Sequence, residues 1–183
     1  MKTIKTLLAA LFLSCLSLSA TARGDEAKPA IAKSADGSSL NAESLKEMLT
    51  VLGYDFEIVK GASGGNIHYV KFVRNGMKYD VNVNIAPNGS KLWASVALAD
   101  LTPEQGAQSD KLLKLLEVNQ KIGPAHFYYY VPHKMIYLAR PMDNRAVTAK
   151  LLREHLEAVM DAVVANETTW NSEKWTPNTT ASK

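Results

Sequence analysis

Cysteine is nearly absent from this chain. The one residue of its type, Cys15, lies near the N-terminus of the 183-residue sequence. No intramolecular disulfide can therefore staple the fold, and no paired-thiolate metal or redox site can form. An excess of one charge is also missing, since 21 Lys and Arg face 18 Asp and Glu for a formal net charge of +3. That balance creates no field favouring nucleic acid or an anionic membrane. No apolar run reaches the roughly 20 residues a membrane-spanning helix needs. Ten Gly and seven Pro are too few for a collagen-like or low-complexity chain. Phosphate-cradling G-x-x-x-x-G-K-[ST], dinucleotide-type G-x-G-x-x-G and zinc-type H-E-x-x-H are all lacking. What is present is an ordinary globular composition, 46% hydrophobic, sufficient for one core.

Residues 1–22 open with Lys2 and Lys5, run apolar from Leu7 to Leu18 and close on Ala20-Thr21-Ala22. That is the pattern of a secretory signal peptide cleaved after Ala22. Cleavage removes two lysines and no acid, leaving 19 basic against 18 acidic residues and a net charge of +1. The mature chain is expected to be exported, periplasmic or extracellular, without stable membrane insertion. A lipoprotein reading would acylate Cys15, but Phe12-Leu13-Ser14 fits a lipobox poorly. Residues 23–39 are rich in Ala, Lys, Ser, Asp and Gly and read as a flexible linker, because they bury too little to offset their ordering entropy. The adhesion-type tripeptide Arg23-Gly24-Asp25 is short enough to arise by chance.

A single domain is expected over 40–170, with 171–183 a polar tail. Asn41 caps a first helix, Leu40 staples to Leu45, and Leu45, Met48, Leu49 and Leu52 recur at helical spacing before Gly53. Tyr54, Phe56 and Ile58 then alternate with acids as strand one. Asn75-Gly76 predicts a two-residue hairpin, because both residues tolerate the positive φ of a type I′ turn. The register that follows pairs Arg74 with Met77, Phe72 with Tyr79, Val70 with Val81 and His68 with Val83 on an inward face. Lys71 with Asp80 and Tyr69 with Asn82 lie outward. A fourth strand points Leu92, Ala94, Val96 and Leu98 inward and Trp93 outward.

Thr102-Pro103-Glu104-Gln105 opens a helical region expected to run to Ile122, with leucines on more than one side. Two more strands, 125–131 and 135–140, meet at Pro132-His133. If Val131 pairs with Lys134, then Phe127, Tyr129, Ile136 and Leu138 share one face, and Tyr128, Tyr130, Met135 and Tyr137 share the other. The last helix is capped by Thr148 and carries Leu152, Leu156, Val159, Met160 and Val163 at helical spacing. The predicted fold class is α+β, in the order helix, four strands, helix, two strands, helix, with an antiparallel sheet packed against helices.

Four segments carry a resemblance over about residues 40–170: Leu49-Thr50-Val51-Leu52-Gly53-Tyr54-Asp55-Phe56, the strands around Asn75-Gly76, Asn119-Gln120-Lys121-Ile122-Gly123-Pro124-Ala125-His126-Phe127, and the final amphipathic helix. The order and these segments resemble the YbjN family, described as sensory-transduction regulators, and the wider type III secretion chaperone-like fold. The resemblance implies a non-enzymatic regulatory or protein-binding domain, commonly a homodimer joined through the second helix and neighbouring strands. Those chaperones are cytoplasmic and acidic, whereas this chain carries an export signal and a near-neutral charge.

Two functional readings follow. The first is an exported, non-catalytic protein- or peptide-binding domain with no cofactor and no metal. Its partner-binding residues are Tyr69, Asn82, Trp93, Tyr128, Tyr130 and Tyr137, and its dimer contacts Leu112, Leu113, Leu115 and Leu116. The second is a small serine hydrolase using Ser63, since Gly61-Ala62-Ser63-Gly64-Gly65 fits G-x-S-x-G. That chemistry needs a strand-to-helix turn, whereas strands are expected on both sides of this loop. The four histidines, His68, His126, His133 and His155, show no ligand spacing and read as structural, hydrogen-bonded residues.

Overall fold

The computed structural model describes residues 39–62, 64–106 and 108–175. The leader over 1–22 with Cys15, the linker up to residue 38 with Arg23-Gly24-Asp25, Ser63 and the last eight residues lie outside the described residues. Helix α1 (Ala42–Val51) is followed by strands β1 (Phe56–Lys60), β2 (Asn66–Arg74), β3 (Met77–Ile85) and β4 (Lys91–Asp100). Helices α2 (Pro103–Gly106) and α3 (Ser109–Asn119), strands β5 (His126–Tyr130) and β6 (Met135–Asp143), and helices α4 (Ala149–Ala165) and α5 (Glu167–Trp170) complete it. The strands form one antiparallel sheet in the order β1-β2-β3-β4-β6-β5. The expected α+β class is the observed one.

Asn75 and Gly76 adopt φ of 51° and 77°, as a type I′ turn requires. The turn sets the whole β2–β3 ladder, in which Phe72 faces Tyr79, Val70 faces Val81 and His68 faces Val83. Every one of these six side chains is buried. In the second hairpin a 3₁₀ turn over Val131–His133 and a left-handed Lys134 join β5 to β6, and Tyr128 faces Tyr137 while Phe127 faces Leu138. The core gathers Leu45, Met48 and Leu49 of α1, Leu115 of α3 and Leu152, Leu156, Val159 and Met160 of α4 against the inward side chains of the sheet. All of these helices bury their apolar stripes on one face of the sheet.

α1 begins in a reciprocal cap, in which the Asn41 side chain accepts from the Glu43 and Ser44 amides and Ser44 Oγ accepts from the Asn41 amide. Thr148 caps α4 by accepting from the Leu151 amide. Asn144 is fully buried, and its Nδ2 donates to the carbonyls of Leu40 and Gly89, both at 2.9 Å. This one amide ties the start of the domain, the β3–β4 turn and the end of β6 together.

Several expectations need correction. The helix expected to run from 102 to 122 is broken between Gly106 and Ser109. Gln105 closes the capping box with Thr102, and its Nε2 also donates to the Ser172 carbonyl, tying α2 to the C-terminal segment, while α3 packs on β5 and α5. The packed chain runs past 170, because Ser172 and Trp175 are buried, Ser172 Oγ donates to the Asp100 carbonyl and Trp175 Nε1 to that of Thr169. Ile58, which continues the apolar alternation of strand one, is exposed on the edge strand β1. β6 continues to Asp143 through Pro141, past Ala139, which stands opposite the first residue of β5.

Two histidines are core residues, and hydrogen bonding does not account for them as expected. His68 is fully buried and neither ring nitrogen makes a well-formed hydrogen bond among the described residues. His155 lies on the inner face of α4, where Arg140 donates to its Nδ1 and leaves the proton on an unpartnered Nε2. Burial, with the Arg140 charge beside it, pushes the His155 pKa down from 6.5 to about 4. Above pH 6.5 the imidazole is neutral in both folded and unfolded chains; as pH falls the unfolded chain takes up the proton first. The domain is expected to lose about 3 kcal/mol of stability between pH 6.5 and 4 from His155, with His68 adding in the same direction. Urea unfolding across that range checks it, and His155→Leu flattens the slope; an unchanged slope would contradict the assignment.

Candidate binding face of the sheet

The outward face of the sheet is built by the other half of each alternating strand. Asn82 faces Tyr69 on one side and Ser95 on the other, and Ser95 faces Ala139, which faces His126. Alongside this row, Trp93 faces Asn84 and Pro141, and Ala97 faces Tyr137, which faces Tyr128. Small side chains therefore floor the middle of the face, with rings standing around them.

The rings form a continuous strip. Trp93 meets His126 edge-on at 6.3 Å between centroids, and His126 meets Tyr128 at 5.9 Å. Tyr128 stacks on Tyr137 at 5.5 Å, and Tyr130 packs edge-on against both Tyr137 and His133. Tyr137 and His133 also share a hydrogen bond of 3.0 Å between the hydroxyl and Nδ1. A shallow hollow of about 360 Å³ opens between Trp93, Asn84, Ser95, His126, Tyr128 and Ala139. Burial and the neighbouring phenols hold the Tyr128 pKa above its usual value, and burial does the same for Tyr137. At neutral pH both keep their protons, so neither phenol adds a charge to this half of the face.

The half of the same face over β1–β3 differs. Its wider hollow, about 750 Å³, is lined by Asp55, Glu57, Tyr69, Lys71, Lys78 and Asp80 among others. Lys71 and Glu57 form an exposed ion pair there, which adds little to stability. The two edges of the sheet also differ. On β5 the Phe127 amide donates to Asn119 Oδ1 at 2.7 Å, and Asn119 Nδ2 donates back to the Phe127 carbonyl at 3.1 Å. A side-chain amide from the end of α3 thus occupies the place a seventh strand would take.

The partner-binding residues expected from the sequence are brought onto one face, though not in equal roles. Tyr69, Asn82 and Trp93 are half-buried, Tyr128 and Tyr130 are exposed at 37% and 41%, and Tyr137 is buried at 9% beneath its neighbours. Tyr137 supports the strip more than it presents it. His126 and His133, read from the sequence as structural, are members of the strip; the alternation His126, Tyr128, Tyr130 was the available signal. Asn119, which opens one of the segments carrying the resemblance, had no role assigned from the sequence, since nothing local marks an amide that pairs eight residues ahead.

The four leucines expected at a dimer contact divide by helical phase. Leu115 is buried in the chain's own core and Leu112 is half-buried, whereas Leu113 and Leu116 stand 58% and 59% exposed. Leu115 is therefore not available to a partner. Among the described residues no group of three or more His, Cys, Asp and Glu side chains is placed to hold a metal ion. No described helix is long and apolar enough to cross a membrane.

No protein-family model matches the chain, so no match supports the YbjN resemblance, and no curated protein matches it. A solved structure titled "Structure of the HopA1-SchA Chaperone-Effector Complex" is similar at a TM-score of 0.46 and 9% identity, covering 66% of this chain and 88% of that one. Likeness at that distance leaves function to be argued from the surface itself.

Replacing Leu115 by Ala is expected to cost about 2–4 kcal/mol in urea unfolding of the dilute chain. Leu113→Ala and Leu116→Ala should each stay within about 0.5 kcal/mol of the parent. Equal losses at all three would contradict the division by phase.

Proposed function

We propose that this chain is an exported, non-catalytic protein- or peptide-binding domain, chaperone-like or regulatory in role, that holds its partner on the ring-lined face of the sheet. The observation that carries the reading is the contiguous strip of Trp93, His126, Tyr128, Tyr137 and Tyr130 on the face turned away from the helices of the core. Tyr and Trp rings with polar tips are the side chains that anchor protein contacts, and contiguous exposed apolar surface is uncommon without a partner. Export rests on the leader over 1–22. A non-catalytic role is supported by the place of Ser63 in the chain, between β1 and β2 where a nucleophile elbow would need a helix to follow. Leu113 and Leu116 on the outer side of α3 are the proposed contact of a homodimer.

The test is capture of envelope proteins with the full chain as bait, followed by affinity measurement for the partner recovered. Trp93→Ala and Tyr128→Ala are each expected to cost about 2 kcal/mol or more, around thirtyfold in affinity, with the melting temperature nearly unchanged. If either variant mainly lowers the melting temperature while the folded fraction binds normally, the residue is a packing group and the reading fails. Ser63→Ala is expected to leave binding unchanged; ester turnover that it abolishes would replace this reading with a hydrolase.

A further inference from the structure

We propose that a hollow at the start of α1 binds a small uncharged molecule with an apolar body and a primary carboxamide, held by His68 and Asn66. The site belongs to the inner side of the sheet and does not rest on the reading of the ring-lined face. The hollow, of about 280 Å³, opens where the start of α1, the start of β2 and the β3–β4 turn come together. Its walls are mostly apolar, Leu40, Leu45, Ile85 and Pro87 among them, and Asn66 and His68 stand in them as polar groups. His68 is fully buried with neither ring nitrogen in a well-formed hydrogen bond, and Asn66 Oδ1 is buried without a partner as well. The two residues lie two apart on β2, so both point to one face of the strand. Apolar walls with a few convergent polar groups are the make-up of a small-molecule site, and buried polar groups are seldom left unmet. The wall is also braced, since Asn144 Nδ2 holds Leu40 and Gly89 by their carbonyls.

The unmet groups select the ligand's chemistry. Burial favours the neutral imidazole, which has one N–H and one lone pair. The Val83 carbonyl acts on the ring without closing a well-formed bond and draws the N–H, which leaves the lone pair and Asn66 Oδ1 as two acceptors in need of two donors. The NH2 group of one primary carboxamide carries both donors, a hydroxyl carries one, and a carboxylate carries none. An ammonium has donors enough, but no charged side chain is among the described wall residues to offset its desolvation. Glu43 and Lys46, the charges that act on His68, are paired with each other at 3.2 Å. The start of α1 does not call for an anion either, because Asn41 Oδ1 already accepts from the Glu43 and Ser44 amides. Water is a poor match, since a molecule of about 30 Å³ that needs several polar partners meets mostly apolar walls in a hollow many times its size.

Hexanamide titrated into the full chain is the probe, with hexan-1-ol, hexanoate and hexylamine as comparators, read on the ring nitrogen resonances of His68. Hexanamide is expected to shift those resonances saturably, to bind at least tenfold more tightly than any comparator, and to weaken at least tenfold in His68→Leu while Trp93→Ala leaves it unchanged. The ring resonances of the parent protein decide the matter even if His68→Leu folds poorly. Equal binding of all four compounds, undiminished in His68→Leu, would show an apolar hollow only and overturn the proposal. Tighter binding of hexanoate or hexylamine would overturn it in favour of a charged ligand, and tighter binding of hexan-1-ol in favour of an alcohol. Ring resonances that none of the compounds moves would show a site that water alone enters and overturn it outright. Loss of hexanamide binding in Trp93→Ala would move the compound to the ring-lined face and overturn the site at α1.

Discussion

An antiparallel sheet with alternating strands has one face to dry, and in this chain every helix that joins the core dries the same one. That constraint governs the rest of the structure. The turn at Asn75-Gly76 holds β2 and β3 in the register that puts His68, Val70 and Phe72 opposite Val83, Val81 and Tyr79. A shift of one residue would carry Lys71, Asp80 and Asn82 under α1 and α4, at a desolvation cost far beyond the stability of a small domain. Once the inner face is settled, the outer face is settled too, and its side chains must be tolerable in water or covered by a partner.

Over β1–β3 the outer face is tolerable in water, since charges and amides stand among its Val59, Tyr69 and Val73. Over β4, β6 and β5 it is not, because the last hairpin is apolar on both sides: Phe127, Ile136 and Leu138 go to the core while Tyr128, Tyr130 and Tyr137 go outward. Six rings then shelter one another, which buries Tyr137 and, by burial, holds the Tyr128 and Tyr137 phenols above their usual pKa. The binding surface is in this sense the residue of the folding problem, the part of the apolar content that a one-sided core leaves over.

Side-chain amides handle the backbone that the sheet cannot satisfy. Asn119 pairs with Phe127 at the open edge, and Asn144 collects two carbonyls where three segments meet. Each stands in for a missing strand. His68 and His155 do the opposite: they bring polar groups into the core with few or no partners, and they are held neutral by burial at the cost of acid stability.

The parts of the fold legible in the sequence are those set within one turn or one hairpin. Asn75-Gly76, the Asn41 and Thr148 caps, the Val131 to Lys134 closure and the alternation of β2, β3 and β5 are local statements about φ, hydrogen bonding and side-chain period, and local chemistry decides them. What depends on distant partners could not be read. The break after Gly106 goes with Gln105 reaching Ser172, the docking of the 172–175 segment with Ser172 reaching the Asp100 carbonyl, and the burial of Leu115 beside exposed Leu116 with which side of α3 meets β5. The candidate face shows the same split. Its outward tyrosines were visible as a period-two pattern, but their joining with Trp93 and His126 into one strip required β6 to insert between β4 and β5, a pairing across dozens of residues that no local period encodes.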